Sequence, residues 1–588
     1  MLSASVPHAP LGLALQTVTT TPNVSDVTVG HPLSLSLSHL TSNGQATTGL
    51  HLRVHFDSSQ LRLDAIDHVL QESFAGSQIL EDGPCDASGV CVGLDGNPNT
   101  DRYLNLLWFS LGSSWPSQPD QSHELAQLHF QTLSSGGGTA AIELTGEAAA
   151  GYSLLATAPS ITLSEPRLLF SSLLSDGVQR ELFVSDGTSA GTSMVRNLSG
   201  TANSQPEELT IVDDQVYFSA LLSNGQRELH ISDLTPTGTQ LLRNLSGTVS
   251  SHPRELTPLN GKLVFTATLS DGQVELYESD GTNAGTRLLK NLSFASSSAP
   301  QDLTVVGNQL FFSAVQPDGQ RELFVTDGTG TGTKLVKSLS GNVSAEPRDL
   351  VAFAGQLYFT VQLSDGQREL YVSDGSPTGT KMVANLSAAV SADPQELTVV
   401  GDQLYFTAVL PDGQRELHVY DGTNGPQLVR DLSLAQSANP QELTAVGDQL
   451  YFTIERVGGD RELFRSDGTA GGTALVKNLA GATSADPHDL TAVGNQLFFT
   501  AAYPSGQREV YVSDGTVDGT QLILDIGGTQ SSDPTMMTRV GSQLYFSAIG
   551  GNGERELYRT NGSTGGTFLV KNLGGSLSSS PLEGVAYP

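Results

Sequence analysis

A unit of 47 residues recurs nine times along the second part of this 588-residue chain. Its clearest mark is a Glu-Leu or Glu-Val pair, and successive copies of this glutamate lie 47 residues apart, with a single interval of 46. Self-similarity at a fixed period is typical of repeat architectures, in which each unit buries its apolar face against its neighbours. The repeat therefore restricts this part of the fold to an array of similar units. The nine glutamates are Glu181, Glu228, Glu275, Glu322, Glu369, Glu416, Glu462, Glu509 and Glu556.

Each unit carries four short β-strand signals separated by turn residues. In the unit that begins at Pro394, the apolar run Leu397–Val400 predicts a first strand buried on both faces, and the aromatic run Leu404–Ala408 predicts a second strand. Asp412-Gly413 then marks a tight hairpin, because glycine accepts a positive φ. Two further strands follow, separated by an Asp-Gly-Thr turn. Four antiparallel strands in a unit of this length match one blade of a β-propeller, so the sequence predicts an all-β fold of this type.

The two ends of the repeat region predict how the array closes. The second-strand signal occurs nine times, but its first copy, which begins at Leu168, has no first strand directly before it. The last first-strand signal, Pro581–Pro588, has no second strand after it. We therefore expect nine blades, with the ring closed because the C-terminal strand completes the first blade. The alternative is that this strand pairs with another molecule and links chains into an assembly.

The repeat units resemble the ELWxxDGT repeat family of bacterial secreted and surface proteins. Glu181–Thr188, Glu322–Thr329 and Glu369–Gly375 carry the resemblance, which extends over residues 166–588. This chain departs from the family pattern where Phe, Tyr or His replaces the family tryptophan, and where Asn561 replaces the aspartate of the ninth copy. The resemblance implies an exported β-propeller and brings no catalytic residue with it.

Residues 28–160 resemble the cohesin family of β-sandwiches. The residues that carry this resemblance include Val29–Leu35 and Leu50–Asp57, where alternating apolar and polar residues predict strands with one buried face. The resemblance implies a protein-binding or assembly module, and no segment of the chain resembles the dockerin partner of cohesins. The predicted organisation is a β-sandwich over residues 1–160, a linker over 161–166 and a propeller over 167–588.

The charge of the chain excludes some partners. Lys and Arg number 29 and Asp and Glu number 61, which gives a formal net charge of −32. This sign argues against binding to nucleic-acid phosphates or to an anionic membrane. No apolar stretch is long enough for a membrane-spanning helix, and Met1–His8 lacks the basic and apolar parts of a signal peptide. Either the chain is exported by a route that reads another signal, or a signal was removed, or the chain stays inside the cell.

The two cysteines of the chain, Cys85 and Cys91, lie in a loop rich in Gly and Asp. Their spacing predicts a small disulfide and, with it, an oxidising compartment. Two cysteines without a nearby pair of histidines do not complete a zinc site.

The segment that follows has the spacing of a calcium loop. Asp95, Asn97, Asn99 and Asp101 place oxygen ligands at alternate positions. The alternative is a turn-rich loop whose side chains bond to their own backbone. No motif requires a cofactor, and calcium is the only ion that the pattern suggests.

For the repeated polar residues, a structural interpretation is favoured over a catalytic one. The aspartate of each Asp-Gly-Thr turn is expected to bond within its own turn, and the Arg-Glu pair, present in eight units with Val274 as the exception, is expected to join blades. A catalytic site is needed once and should break the repeat. The breaks at His230, His418, Asn424 and Glu455–Asp460 show no spacing that combines a nucleophile, a base and an orienting acid. We therefore predict that the chain is not an enzyme.

The sequence thus predicts a non-enzymatic binding or adhesion protein, extracellular or at a bacterial cell surface. The propeller would present rigid loops for binding, and the sandwich would dock to a partner or to a neighbouring copy of the chain. The partner at the cell surface would be a protein or a carbohydrate. Two other functions stay open. One is a structural subunit of an extracellular filament or surface layer, built by self-association. The other is a hydrolase or lyase that acts on polysaccharide.

Overall fold

The computed structural model divides the chain into two compact units, residues 1–166 together with Pro588, and Arg167–Tyr587. In the first unit the structure describes residues 14–22, 26–28, 32–41, 49–56, 60–67, 69, 74–81, 102–109, 122–133, 138–140, 142–148, 152–157 and 161–166. In the second unit it describes all residues except 294–295, 342, 387–390, 433–436, 457, 480, 482–483 and 504. Among these described residues, no helix is long and apolar enough to cross a membrane.

The described part of the first unit consists of three β-sheets. The strand order in the largest sheet is Tyr152–Thr157, Ala14–Pro22, Pro32–Thr41, His123–Thr132 and Leu61–Asp67. The order in the second sheet is Ile142–Ala148, Gly49–Phe56, Arg102–Phe109 and Phe74–Glu81. The third and smallest sheet has the order Asp26–Thr28, Ile161–Ser164 and Gly138–Ala140.

The two larger sheets of the first unit contribute to one apolar core. Leu33, Leu35 and Leu37 are fully buried, whereas the serines between them are half-buried. Leu52 and Trp108 of the second sheet belong to the same core. This alternation arises when one face of a strand packs inward and the other faces solvent. The Leu-Ser-Leu-Ser-Leu pattern is therefore that of an amphipathic strand.

Ile161–Ser164 forms a strand, in contrast to the linker predicted over residues 161–166. It pairs in parallel with Asp26–Thr28 and antiparallel with Gly138–Ala140. The physical reason is local: the alternating Ile-Thr-Leu-Ser sequence favours a strand, and only Glu165 and Pro166 follow it before the second unit begins.

The second unit, in the residues described, consists of nine four-stranded antiparallel sheets, which we number sheet 1 to sheet 9 along the chain. Strands are named first to fourth by their place in the repeat. The first strands of sheets 1 to 9 are Leu582–Tyr587, Glu207–Val212, Arg254–Leu259, Gln301–Val306, Arg348–Phe353, Gln395–Val400, Gln441–Val446, His488–Val493 and Thr535–Val540. The second strands are Arg167–Leu173, Gln215–Leu221, Lys262–Thr268, Gln309–Val315, Gln356–Gln362, Gln403–Val409, Gln449–Glu455, Gln496–Ala502 and Gln543–Ile549.

The third and fourth strands complete each sheet. The third strands are Arg180–Ser185, Arg227–Ser232, Val274–Ser279, Arg321–Thr326, Arg368–Ser373, Arg415–Tyr420, Arg461–Ser466, Arg508–Ser513 and Arg555–Thr560. The fourth strands are Ser193–Arg196, Gln240–Arg243, Arg287–Lys290, Lys334–Lys337, Lys381–Ala384, Gln427–Leu428, Ala474–Lys477, Gln521–Leu522 and Phe568–Lys571. One turn of 3₁₀-helix, Thr564–Gly566, is the only helix in the described parts of the chain. The prediction of an all-β fold with repeated four-stranded sheets is confirmed.

The second strand of each sheet is more buried than its first strand. In sheet 6, Leu404–Ala408 is buried throughout, whereas Thr398 and Val399 of the first strand are only half-buried. The prediction that Leu397–Val400 is buried on both faces is therefore wrong. The first strand lies at the edge of its sheet, while the second has a strand on each side and an adjacent sheet on each face.

Apolar cores lie between consecutive sheets. Between sheets 3 and 4, for example, Val264 and Leu276 pack with Leu310 and Phe312. Equivalent cores join each sheet to the next along the chain, and one further core joins sheet 9 to sheet 1. Within the described residues, nine sheets therefore have nine cores between them, whereas an open row of nine sheets would have eight.

The C-terminal strand forms the edge of sheet 1. Leu582–Tyr587 pairs antiparallel with Arg167–Leu173, so that Leu169 lies opposite Val585. The first strand of each sheet contacts the first strand of the next sheet, and Leu582–Tyr587 contacts those of both sheet 9 and sheet 2. The C-terminal strand thus occupies the position of a first strand between two neighbours.

Candidate functional site

The recurring glutamate of the third strand is buried in every sheet and anchors the loop that follows the fourth strand. In sheet 3, Glu275 accepts hydrogen bonds from the backbone N–H groups of Leu292 and Ser298, both at 3.1 Å, and from the Ser298 hydroxyl at 2.6 Å. Its side chain has no exposed surface. A buried carboxylate needs such donors, because leaving it without them is costly. This glutamate therefore holds the loop in place.

Four sheets have alanine where the others have the serine of this loop. In sheet 4, Ala345 takes this position, and Oε1 of the buried Glu322 has no hydrogen-bond partner in the part of the chain described. The N–H of Leu339 still donates to Oε2, at 3.1 Å. Burial raises the pKa of Glu322 to about 7, although the Leu339 N–H acts in the opposite direction. The other alanines are Ala392, Ala438 and Ala485.

The Asp-Gly-Thr turn between the third and fourth strands is closed by its own side chains. In sheet 4, Asp327 Oδ1 accepts hydrogen bonds from the hydroxyl of Thr329 at 2.7 Å and from its backbone N–H at 2.9 Å. The Thr329 hydroxyl in turn accepts from the N–H of Gly332, where a Cβ atom would lie 2.0 Å from the carboxylate. The threonine hydroxyl and N–H lower the pKa of Asp327. The structure thus supports the interpretation of this aspartate as a turn-closing residue, although its side chain is exposed.

Replacing Asp327 by alanine is expected to destabilise the second unit by about 1 kcal/mol, because two hydrogen bonds to Thr329 are lost at an exposed site. The Asp327→Asn variant keeps the Oδ1 acceptor and should lose less than half of that. Sheet 9 carries this replacement naturally, since Asn561 Oδ1 accepts from the Ser563 hydroxyl at 2.7 Å. Urea unfolding of the two variants beside the parent measures the difference, and equal losses would show that the turn does not depend on this acceptor.

A cation at the end of the fourth strand connects most sheets to the next. Lys477 Nζ of sheet 7 donates to the Thr520 carbonyl of sheet 8 at 2.6 Å, and Lys571 Nζ of sheet 9 donates to the Thr192 carbonyl of sheet 1 at 2.7 Å. These cations therefore bond to carbonyl groups within the unit. The other members of the series are Arg196, Arg243, Lys290, Lys337 and Arg430.

The arginine of the Arg-Glu pair fixes the start of its own sheet. In sheet 5, Arg368 Nη1 donates to the Glu346 carbonyl and to the Thr360 hydroxyl, both at 2.9 Å. Glu346 precedes a proline and has a φ of 42°, a conformation that costs energy for a residue other than glycine. Its N–H donates to the Arg321 carbonyl of sheet 4 at 3.3 Å. The loop at Glu346 is thus held by the Arg-Glu positions of two consecutive sheets.

Sequence reasoning missed a second series of carboxylates, on the first strands. Glu583 of sheet 1 accepts a hydrogen bond from the N–H of Glu208 in sheet 2 at 3.3 Å, and Glu208 accepts from the N–H of Glu255 in sheet 3 at 3.0 Å. Eight of the nine positions are Glu or Asp, and Met536 takes the ninth. Burial chiefly raises the pKa of Glu208, and the nearby charge of Glu255 adds to the shift. In the sequence, an acidic residue recurs two positions after the proline that precedes each first strand, and this spacing was the available signal.

Two of the residues that break the repeat are part of the core. His230 and His418 stack on Phe218 and Phe406, with ring centroids 5.4 and 5.5 Å apart. Both histidines are buried, and burial lowers the pKa of His230 to about 4. Other sheets have Phe or Tyr at this place, so the two histidines act as aromatic core residues.

The predicted disulfide and calcium residues lie outside the described residues. These are Cys85, Cys91, Asp95, Asn97, Asn99 and Asp101. In the parts of the chain that the structure does describe, no group of three or more His, Cys, Asp or Glu side chains is arranged to hold a metal ion.

Neither protein-family models nor curated protein sequences match this chain. Three solved structures illustrate what it is similar to. A puromycin-hydrolyzing peptidase from Mycobacterium tuberculosis is 11% identical, with a TM-score of 0.35, over 60% of this chain and 59% of the peptidase. TolB from Acinetobacter baumannii is 14% identical, with a TM-score of 0.26, over 53% of this chain and 77% of TolB. A type I cohesin from Pseudobacteroides cellulosolvens is 12% identical, with a TM-score of 0.18, over 25% of this chain and 92% of the cohesin.

The chain spans little more than half of the length of the peptidase structures that it matches. The second of these, a prolyl endopeptidase, is 13% identical with a TM-score of 0.35, and 53% of it is covered.

Proposed function

We propose that the chain is a non-enzymatic binding protein of the cell surface or extracellular space. In this proposal, the second unit is a closed nine-bladed propeller that presents an acidic end to a positively charged protein partner. The observation that carries the proposal is a difference between the recurring cations and the recurring aspartates. The cations of the fourth strands and of the Arg-Glu pairs bond mainly to groups within the unit, whereas the turn between the third and fourth strands has an exposed aspartate in eight sheets.

The turn end of each sheet is the better candidate for this contact. In a four-stranded antiparallel sheet, the connection between the first and second strands lies at the same end as that between the third and fourth. Asp213, Asp214, Asp402 and Asp448 of the first connection add to the turn aspartates. The hairpins at the opposite end have the Asp-Gly pair in only five sheets. Complementary charge speeds association and helps to select a partner.

Contacts between the ends of the second unit support closure within one chain. Leu582–Tyr587 is paired in sheet 1, Arg180 Nη1 donates to the Ser580 carbonyl at 2.8 Å, and Lys571 reaches Thr192. The same two types of contact recur in other sheets, the arginine contact over 22 residues and the lysine contact over 43. They favour a self-closed ring over strand exchange, and with it a monomeric binding protein over a filament subunit.

We infer that the first unit is a docking module. The resemblance of residues 28–160 to cohesins supports a contact with a protein, and the paired sheets with one apolar core fit a sandwich.

A charge-matched pair of triple variants tests which end of the propeller binds. In one variant Asp280, Asp327 and Asp374 of the turns become Asn. In the other, Asp271, Asp318 and Asp365 of the hairpins in the same three sheets become Asn. Asparagine occurs naturally at both kinds of position, as Asn561 and Asn224, so both variants should fold.

Binding of the full chain is measured on a sensor surface coated with poly-L-lysine, at low salt. We expect the turn variant to bind about tenfold more weakly, because three exposed charges are each worth roughly 0.5 kcal/mol, and the hairpin variant to lose less than about twofold. Equal losses would mean that binding follows net charge alone, which contradicts a binding end formed by the turns.

A further inference from the structure

Sheet 3 differs from the other eight sheets at one position of the repeat. Val274 stands where the others have the arginine of the Arg-Glu pair. In sheet 5, the guanidinium of Arg368 at this position lies between the carbonyl of Glu346 and the hydroxyl of Thr360. Valine has no hydrogen-bond donor on its side chain and is much shorter. The corresponding place in sheet 3 therefore lacks the guanidinium that its counterparts hold.

The acceptors for a guanidinium are nevertheless present in sheet 3. His252 takes the place of Glu346 and has nearly the same φ, 43° against 42°, so its carbonyl belongs to the same left-handed residue before proline. Thr266 takes the place of Thr360, is 4% exposed, and donates to the Arg254 carbonyl at 3.2 Å. A hydroxyl that donates one hydrogen bond still has lone pairs that accept others.

A cavity of about 380 Å³ lies at this position. The sequence difference accounts for part of this space, because Val274 is shorter than the arginine found at this place in the other sheets. The residues that line it include His252, Arg254, Glu255, Thr266, Val274 and Gln301.

We propose that this cavity binds one guanidinium group, supplied either by an arginine residue of a partner protein or by a small guanidinium compound. The ligand group would donate to the His252 carbonyl and the Thr266 hydroxyl, as Arg368 does in sheet 5. The proposal does not rest on the acidic turn end, because these residues lie at the start of a first strand and in the second and third strands.

The charges around the cavity suit this ligand. Glu255 lines it. In sheet 5, burial raises the pKa of its counterpart Asp349, and the nearby charge of Arg368 acts in the opposite direction by favouring the carboxylate. Arg254 also lines the cavity and would oppose a cation. Sheet 5, however, has Arg348 at the same place and accommodates Arg368 beside it. A guanidinium next to a second arginine is therefore compatible with this architecture.

Titration calorimetry on the full chain with N-acetyl-arginine amide tests the proposal. We expect one site per chain, and at least about tenfold weaker binding of N-acetyl-citrulline amide, a neutral compound of nearly the same shape, because charge-assisted hydrogen bonds are lost. Val274→Arg should abolish binding by filling the cavity with the side chain found in the other sheets. Val274→Met extends a longer side chain toward the guanidinium position without adding a donor and should weaken binding, which covers the case that the arginine variant does not fold.

A matched gain-of-site variant gives the sharpest outcome. Arg368→Val should create a second cavity in sheet 5 and raise the stoichiometry from one to two.

Agmatine and a capped Gly-Arg-Gly peptide separate the two sources of the guanidinium group. Tighter binding of agmatine indicates a small compound, and equal or tighter binding of the peptide indicates an arginine of a partner protein. Equal binding of the citrulline compound, or unchanged binding to Val274→Arg, would overturn the proposal.

Discussion

Deletion of residues 582–588 is expected to lower the free energy of unfolding of the second unit by about 4 kcal/mol, since four opposed residue pairs of the strand ladder are lost and each contributes roughly 1 kcal/mol. The deletion also removes Val585 and Ala586 from the cores on either side of sheet 1. The edge of Arg167–Leu173 then becomes available to other chains, so the shortened protein should self-associate. Calorimetry measures the first effect and light scattering the second.

Replacing Leu582 by serine is the control for this deletion. The Leu582 side chain is 44% exposed, and the backbone pairing of the strand does not depend on it. A change below about 0.5 kcal/mol is expected. If the deletion left both the stability and the molar mass unchanged, the C-terminal strand would not be an integral part of sheet 1.

The second large effect is a loss of stability between about pH 4.5 and 7, caused by Glu322. Its pKa is about 7 in the folded chain, against an ordinary value of 4.5, because burial disfavours the carboxylate. In this interval the folded state holds a proton that the unfolded state has released, so the free energy of unfolding falls as the pH rises. A pKa shift of this size corresponds to a loss of about 3 kcal/mol in the free energy of unfolding. Burial raises the pKa of the corresponding glutamates of sheets 1, 5, 7 and 8 in the same direction.

A reciprocal pair of variants tests this explanation. Ala345→Ser in sheet 4 supplies the hydroxyl donor that Ser298 provides in sheet 3, and should stabilise the protein by about 2 kcal/mol at pH 8 but little at pH 4.5. Ser298→Ala should have the opposite effect at pH 8, by removing the donor from Glu275. Urea unfolding of the parent and both variants at pH 4.5 and pH 8 measures these changes in stability. A pH profile that Ala345→Ser leaves unchanged would show that Glu322 does not carry the loss.

The repeated sheets could be predicted because each strand has a short-range signal. The aromatic second strands and the Asp-Gly hairpins are local patterns, and the constant interval between the glutamates shows that these patterns repeat. The unmatched strand at Pro581–Pro588 indicated the partner of Leu168. Burial of the first strand was predicted wrongly, because the apolar run Leu397–Val400 has the same appearance at the edge of a sheet as at its centre. Packing against neighbouring sheets decides that difference.

The roles of the polar residues were less accessible from sequence. Glu275 binds Leu292 and Ser298, which lie 17 and 23 residues away in a loop, and no local pattern identifies them as its donors. Val274 was recognised as an exception to the repeat, but its cavity also depends on Gln301 at the start of the next sheet. Such sites form between sheets from residues that are distant in sequence, so their geometry can be determined only from the structure.

Cross-linking of the C-terminal strand tests the self-closed ring most directly. In a chain with Cys85 and Cys91 replaced by serine, Arg167→Cys and Tyr587→Cys place two thiols at directly opposed positions of neighbouring strands, within the range of a disulfide. After oxidation we expect a disulfide within single chains of about 61.7 kDa at every protein concentration. Disulfide-linked dimers and larger species that increase with concentration would show strand exchange between molecules and contradict closure within one chain.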